Sequence, residues 1–435
     1  MSHPSSQQLI ALSPEKLRLG SALRFTLLDE QGRVLLAKGL RIDSNHMLET
    51  LRSRPAVYVE YHESDEAVQA LMSGLAELSR IDAPIKYIDQ YALQKADIGR
   101  NEMVDGTIDS MLDEVEARLR VVLAQIAQGT QSKAGPLSSQ LERVARDLHA
   151  IWQRNPDAAL LVLMHRAVIG YRGYSVLHAL QCALLVHVLA STLKLSELDI
   201  QVLVQAALTM NVAMTGLQDT LALQTQPPSA VQRAQIDRHP QEGARLLQAA
   251  GIAQPLVLVL VRQHHTDLPP VTTAGQQRTP LERLIHLLQV LDRYTAAMSP
   301  RASRAGRDAA DAARAAIVHN RVAGHDEVGV ALLQALGLYP PGTFVLLESG
   351  ETALVLRKGE KANTPVVATV LNKKGELLSE PRLFSAAQAG MGVQHAVPGS
   401  QIKTRINLGA MIKLLAYSRT PVAERSGVVS SWRVV

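Results

Sequence analysis

The sequence predicts a mainly α protein: an all-helical domain flanked by a small N-terminal β-rich module and a small C-terminal β extension. Three observations predict it. From Ile108 onward, apolar residues recur at the three- and four-residue intervals of helices. Short apolar runs bounded by turn residues occur near the start of the chain and again after Pro340-Pro-Gly342. Hydrophobic residues make up 47% of the 435 positions and charged residues 20%, enough to build ordinary buried cores. That length corresponds to about three domains.

Residues 1–62 form the N-terminal module. Leu23–Leu28 and Val34–Ala37 are strand-like runs on either side of the turn signal Asp29-Glu-Gln-Gly32, and Pro55–Glu60 reads as a further strand. This module is either a platform for partners or a stabilising cap. Residues 63–155 form an amphipathic helical linker region. Ala67, Leu71, Leu75 and Leu78 share one stripe; Ile108, Met111, Leu112, Val115, Leu119, Val122 and Ile126 share another. Leu141, Val144, Leu148 and Ile151 resume it after the Gly129–Gly135 linker. Each stripe must be buried, either on the next domain or on a second copy of the chain, which makes a homodimer a candidate assembly. Residues 156–340 are the helical domain, in which Ser196 and Asp199 resemble a capping box opening a helix that runs past Met210. Residues 341–400 are the β extension, with alternating runs at Thr343–Leu347, Thr352–Leu356 and Val366–Val370. Residues 401–435 form a tail with six basic residues and one acid, Glu424, expected to be solvated.

Composition excludes several function classes. Aromatic residues are only 3% of the chain, few for a protein that stacks single-stranded bases. Lys and Arg exceed Asp and Glu by 45 to 40, a net charge of +5. This suits anionic ligands but supplies no basic stripe for a duplex, so no nucleic acid is expected. Cys182 is the only cysteine, so an intrachain disulfide and a multi-cysteine zinc site are both excluded. The N-terminus lacks the pattern of a secretory signal, and the apolar runs fall short of a membrane span. A cytoplasmic setting is expected.

The chemistry concentrates in the helical domain. His178, His239, the pair His264-His265, and Asp292 lie on or beside separate predicted helices. Imidazole and carboxylate are the usual ligands of a borderline divalent cation. Asp292 closes an apolar stripe with Leu281, Ile285 and Leu288, so its carboxylate needs a cation, an arginine such as Arg301 or Arg304, or hydrogen-bond donors. His187, on the same predicted helix as His178 but turned away from it, reads as structural.

These residues and their neighbours resemble the HD-GYP domains of the HD superfamily of metal-dependent phosphohydrolases, over residues 155–355. The first ligand helix looks like Tyr174-Ser-Val-Leu-His178-Ala-Leu. The HD element, usually His-Asp-Ile-Gly-Lys-Ile-Gly, falls on Met210-Asn-Val-Ala-Met-Thr-Gly216. His239-Pro-Gln-Glu-Gly243, Gln263-His-His265 and Val290–Arg301 follow in the family's order. Leu336–Val345 and Ser349–Ala353 match its common C-terminal extension. The resemblance implies an HD-type helical domain and the hydrolysis of cyclic di-GMP at two or three bound metals, often iron or manganese. In that chemistry the HD aspartate bridges two cations, an acidified water attacks phosphorus, and a lysine holds phosphate.

This chain departs from the pattern at three positions of the HD element. Met210 stands for the histidine, Asn211 for the bridging aspartate and Met214 for the lysine. No Gly-Tyr-Pro follows His265; the stretch reads Thr-Asp-Leu-Pro-Pro270 and then Gly275-Gln-Gln. By the resemblance, one metal position keeps His178 and Asp292, and the other keeps His239, His264 and His265. Ala206, Met210 and Met214 recur every four residues, as an apolar seam through the former site would.

The expectation is therefore a catalytically degenerate HD-GYP-type regulatory or interaction protein linked to cyclic di-GMP signalling, with no bound metal. Arg301 and Arg304 are its candidate phosphate-binding residues, and cyclic di-GMP and other proteins its candidate partners. The alternative is an active cyclic di-GMP phosphodiesterase with an atypical mononuclear site holding one divalent metal, iron or manganese. A third reading is a pure scaffold, as in the HDOD branch of the same superfamily.

Overall fold

A computed structural model describes residues 9–12, 27–30, 34–36, 42, 44–54 and 57–60, and residues 107–418 apart from 131–134, 171–172, 270–277, 305, 308–310 and 313–325. The expected stripe from Ala67 to Leu78, the stretch where Gly-Tyr-Pro is missing (270–277), and the tail beyond 418 lie outside the described residues. The chain divides into two compact units, Met1–Val104 and Asp105–Val435.

In the first unit, β1 (Leu9–Leu12), β2 (Leu27–Leu28), β3 (Val34–Leu36) and β4 (Val57–Glu60) form an antiparallel sheet in the order β1-β4-β2-β3. Between β3 and β4 lies α1 (Asn45–Arg52), whose first turn is capped by Ser44, with the Oγ accepting from Met47 N at 3.2 Å. Leu27, Ile42, Leu48, Leu51 and Val57 make a small core of their own.

The second unit is helical. α2 (Ile108–Gln128) buries the predicted stripe together with Leu123, and α3 (Leu137–Arg154) buries Leu137, Leu141, Val144, Leu148 and Ile151. Both stripes belong to the same hydrophobic core as the helices that follow, so they are covered within the chain. α4 (Pro156–Ile169) starts with Asn155 as cap and Pro156 at its first position, where a missing N–H costs nothing. α5 (Tyr174–Leu189) is buried on nearly all sides and forms the central post of the unit.

α6 (Glu197–Thr209) opens with the expected Ser196–Asp199 capping box but does not run past Met210. Thr209 turns its hydroxyl back onto the Gln205 carbonyl at 2.7 Å, a bond that competes with helix continuation. Met210 is the C-cap, Asn211 adopts φ −102° and ψ 14°, a 3-10 turn spans Val212–Met214, and α7 (Thr215–Leu223) begins anew. The three departures from the HD pattern thus sit at a helix break and not on one continuous helix. The run 197–223 is long and apolar enough to cross a membrane by length and composition, and more than half of its apolar window is packed inside the unit.

α8 (Ala230–Ala249) carries His239 and Pro240; α9 (Pro255–Gln263) ends at His264; α10 (Pro280–Met298) carries Asp292. α11 (Glu327–Leu336) leads into an antiparallel sheet of order β8-β7-β6-β5-β9, made of β5 (Phe344–Leu347), β6 (Thr352–Arg357), β7 (Val366–Leu371), β8 (Leu377–Ser385) and β9 (Val393–Val397). Phe344, Leu354, Leu356, Ala368 and Val370 join the helical core, while Val345, Leu347, Ala353, Val355 and Val367 form a separate cluster.

The join between helices and sheet is tight. Gly342 has φ +85°, and a Cβ there would lie 2.5 Å from His165 N and 2.6 Å from the Leu161 carbonyl oxygen. His165 Nδ1 donates to the Gly342 carbonyl at 3.3 Å.

The stretch expected as a solvated tail begins with order. α12 (Leu408–Ser418) buries Met411 and Leu415 in the main core, and Arg357 bonds Ser418 Oγ at 3.1 Å and Ser418 O at 3.3 Å, closing the helix end. Met411 and Leu415, four residues apart, form a buried face of helical spacing among the basic residues of this stretch.

Candidate functional site

The predicted site residues come together in two adjoining groups. The first links α5 to α10. His178 Nε2 donates to Asp292 Oδ1 at 2.8 Å, and its Nδ1 lies 3.1 Å from Thr295 Oγ1, which donates in turn to the Leu291 carbonyl at 2.8 Å. Cys182 Sγ lies 3.2 Å from the same Thr295 oxygen and 3.8 Å from His178 Nε2. Burial opposes an imidazolium here, but the Cys182 sulfur and the Asp292 carboxylate outweigh it and hold the His178 pKa well above its ordinary value. Burial likewise opposes the Asp292 carboxylate, yet the bond and charge of His178 hold it well below the usual carboxylate range. The pair is a buried ion pair, with only 13% of the Asp292 side chain exposed.

The second group is the imidazole cluster. His239 Nε2 and His264 Nε2 are 3.0 Å apart. His265 packs edge-on to the His239 ring at 5.1 Å and tilted against His264 at 4.2 Å between centroids. One ring nitrogen from each of the three falls within 4.8 Å of the others. His239 and His264 are buried and His265 is exposed. Burial, then the charge of His265, pushes His239 down to about 4. Burial, then His265 and His239, pushes His264 down to about 3. Both rings are neutral at neutral pH, the form that ligates a metal. His239 sits in the middle of α8 beside Pro240, and the other two at the end of α9, so the cluster depends on how α8 packs against α9.

The three departures from the HD pattern lie at the break between α6 and α7, which packs against α8. Met210 is fully buried and Met214 half-buried, as an apolar seam requires. Asn211 is 6% exposed, and its Oδ1 is buried without a hydrogen-bond partner. Asn211 thus offers a neutral carbonyl oxygen at the break, with no charge.

Arg301 and Arg304 are half-buried and hydrogen-bonded within the chain. Arg304 donates to the Ala296 and Ala297 carbonyls at 2.6 and 3.2 Å, closing the end of α10. Arg301 Nη2 donates to Tyr174 Oη at 2.9 Å, with its guanidinium 5.0 Å above that ring, and Tyr174 in turn stacks on His178. Neither arginine pairs with Asp292; His178 does. Leu281, expected on the buried stripe with Asp292, is 38% exposed at the start of α10. His187 is structural: it packs against His149 and Trp152, 5.0 and 6.5 Å between centroids.

Three supporting residues were not singled out from sequence. Cys182 follows His178 by four residues and Thr295 follows Asp292 by three, spacings that place each on the same helix face as the residue it supports. Asp219, on α7, accepts from Ser175 N at 2.8 Å and from Ser175 Oγ at 3.0 Å. It thereby caps the start of α5, where Gly173 supplies no side chain.

No protein family model matches the chain. A curated protein of Pseudomonas aeruginosa named as a cyclic di-GMP phosphodiesterase is 27% identical over 244 residues, which are 54% of this chain and 57% of that protein. The chain thus spans little more than half the length of that relative. A solved structure described as an HDG"Y"P protein from Bdellovibrio bacteriovorus superposes with a TM-score of 0.42 at 13% identity, covering 75% of this chain and 99% of that one.

Proposed function

We propose that the chain is a catalytically degenerate member of the HD-GYP family, acting as a regulatory or interaction module in cyclic di-GMP-linked signalling, a reading supported by its similarity to a cyclic di-GMP phosphodiesterase. The observation that carries this reading is Asn211. Hydrolysis of a phosphodiester at neutral pH needs an activated nucleophile held between cations. A neutral amide has no charge with which to hold two of them, and Met210 beside it is a thioether, a poor ligand for iron(II) or manganese(II). Met214 removes the positive charge that would hold phosphate. The His178–Asp292 ion pair satisfies its own members, and a metal would have to break it to recruit either.

The residues fit a single ion better than a pair. His239, His264 and His265 supply three nitrogens from two helices, the ligand set of a mononuclear centre, and a bound ion there would act as a Lewis acid. This supports the second reading, an active cyclic di-GMP phosphodiesterase with one metal. Purified full-length protein separates the two. The first reading expects no linear product from cyclic di-GMP under anaerobic loading with iron(II) or manganese(II). Metal-dependent product that disappears in His264→Ala overturns it in favour of the second. Calorimetric titration with cyclic di-GMP distinguishes a nucleotide-responsive regulator from a pure scaffold. The engagement of Arg301 and Arg304 with protein acceptors supports weak or absent binding through those two residues.

A further inference from the structure

Away from the histidines, the seam between the helices and the C-terminal sheet holds a slot of about 250 Å³. Its walls include Val168 at the end of α4, Met298 at the end of α10, Leu338, Phe344 on β5, Val397 on β9, and Arg307. No histidine and no residue of the HD element lines it. Two of its sides are main chain in close approach. A Cβ on Gly306 would collide with the Met298 carbonyl, and one on Gly399 with the Val168 carbonyl. These approaches fix the slot before any ligand arrives.

The lining is apolar within and cationic at the rim. Apart from Tyr339, Thr343 and Arg307 its side chains are apolar, and none is acidic. Thr343 Oγ1 already donates to the Pro340 carbonyl at 2.7 Å. Arg307 is exposed, and no carboxylate among the described residues pairs with it. Its charge is felt at Arg304, whose pKa is lowered by burial first, then by Arg301 and more weakly by Arg307. A cation without a counter-ion at the mouth of an apolar slot suits a ligand with one negative charge and an apolar body. Phe344, Tyr339 and Met298 favour an aromatic body over an aliphatic one, through ring–ring and sulfur–ring contacts. An apolar cavity of about 150 Å³ takes benzene, so this slot has room for one ring and a short side chain.

We propose that the slot is a binding site for a small aromatic monocarboxylate, with the ring in the apolar interior and the carboxylate on Arg307. Such a ligand touches α4, α10, β5 and β9 at once, and so fastens the β extension to the helices. The site stands whether or not the chain hydrolyses cyclic di-GMP.

The test uses the full chain labelled with methyl-13C methionine, with the Met298 signal assigned through Met298→Leu. Phenylacetate should shift that signal saturably and raise the melting temperature. Phenylacetamide keeps the ring, loses the charge and should bind about fivefold more weakly. Arg307→Gln changes an exposed side chain. It should melt like the wild type and bring phenylacetate down to the affinity of the amide. Ala396→Leu narrows the slot and should abolish the shift with both compounds. Four outcomes overturn the proposal: no saturable shift at Met298, equal affinity for acid and amide in the wild type, inorganic phosphate moving the signal as far as phenylacetate, or full affinity retained in Arg307→Gln.

Discussion

His178 and Asp292 close on each other at 2.8 Å, joining the middle of α5 to α10 through a buried ion pair that Thr295 and Cys182 support from the side. In this chain the two residues work as a packing element between central helices. Asp292→Asn keeps the shape and removes the charge, leaving His178 enclosed without its counter-ion. Breaking a buried pair from one side costs about 3 kcal/mol or more. The urea midpoint of unfolding at pH 6 should fall accordingly; an unchanged midpoint would show that the pair contributes nothing to the core.

Acid should weaken the fold through histidines remote from the cluster. Burial pushes His165 from 6.5 to about 4, and burial followed by the charge of His149 does the same to His187. Between pH 6.5 and about 4, the unfolded chain takes up protons at these rings and the folded chain does not. Stability therefore falls as pH drops through that window and levels off below it, each ring contributing up to about 3 kcal/mol. His187 Nε2 is buried without a partner. His187→Leu should hold or raise stability at pH 7 and make the acid loss shallower, as read from melting temperature against pH.

The sheet is fastened to the helices at Gly342. With φ +85° and a Cβ position 2.5 Å from His165 N, Gly342→Ala meets both backbone strain and a main-chain clash. The strain alone is about 1–2 kcal/mol. Limited proteolysis should cut the β5–β9 region sooner in the variant, and the melting temperature should fall. Proteolysis at the wild-type rate would mean that the join yields without cost.

Restoring ligands should restore metal stoichiometry before it restores chemistry. Met210→His with Asn211→Asp returns an imidazole and a bridging carboxylate to the break between α6 and α7. Iron(II) or manganese(II) bound per chain should rise relative to wild type, while turnover stays low because Met214 still cannot hold phosphate. The helix break itself limits the gain, since Asn211 sits at φ −102° and ψ 14°, outside regular helix. No increase in bound metal would place the defect in the backbone and not in the side chains.

Much of the fold was legible because helical burial leaves a periodic trace. The stripe from Ile108 to Ile126 is the buried face of α2, and the turn signals after Gly342 delimit real strands. What escaped lacked such a trace. β1 is four residues of unbroken apolar sequence, and α1 is eight residues with two buried leucines, both too short to show a period. The end of α6 was invisible because Thr209 stops the helix through a side-chain bond to Gln205, not through Gly or Pro. The site was legible as a set of residues, and the resemblance already separated His178 and Asp292 from the three other histidines. Motif order put His178 and Asp292 at one metal position, whereas only packing shows that they bond each other directly. It also shows that the arginines read as phosphate ligands are held by Tyr174 and by the carbonyls that end α10.

The proposal that Asn211 cannot bridge a metal pair is tested most directly by counting ions. Full-length protein, loaded anaerobically with excess iron(II) or manganese(II) and freed of unbound metal, should retain no more than one ion per chain, with no magnetic coupling by electron paramagnetic resonance. Two coupled ions per chain would contradict the account, because Asn211 would then be sustaining a bridged pair that its uncharged side chain should not hold.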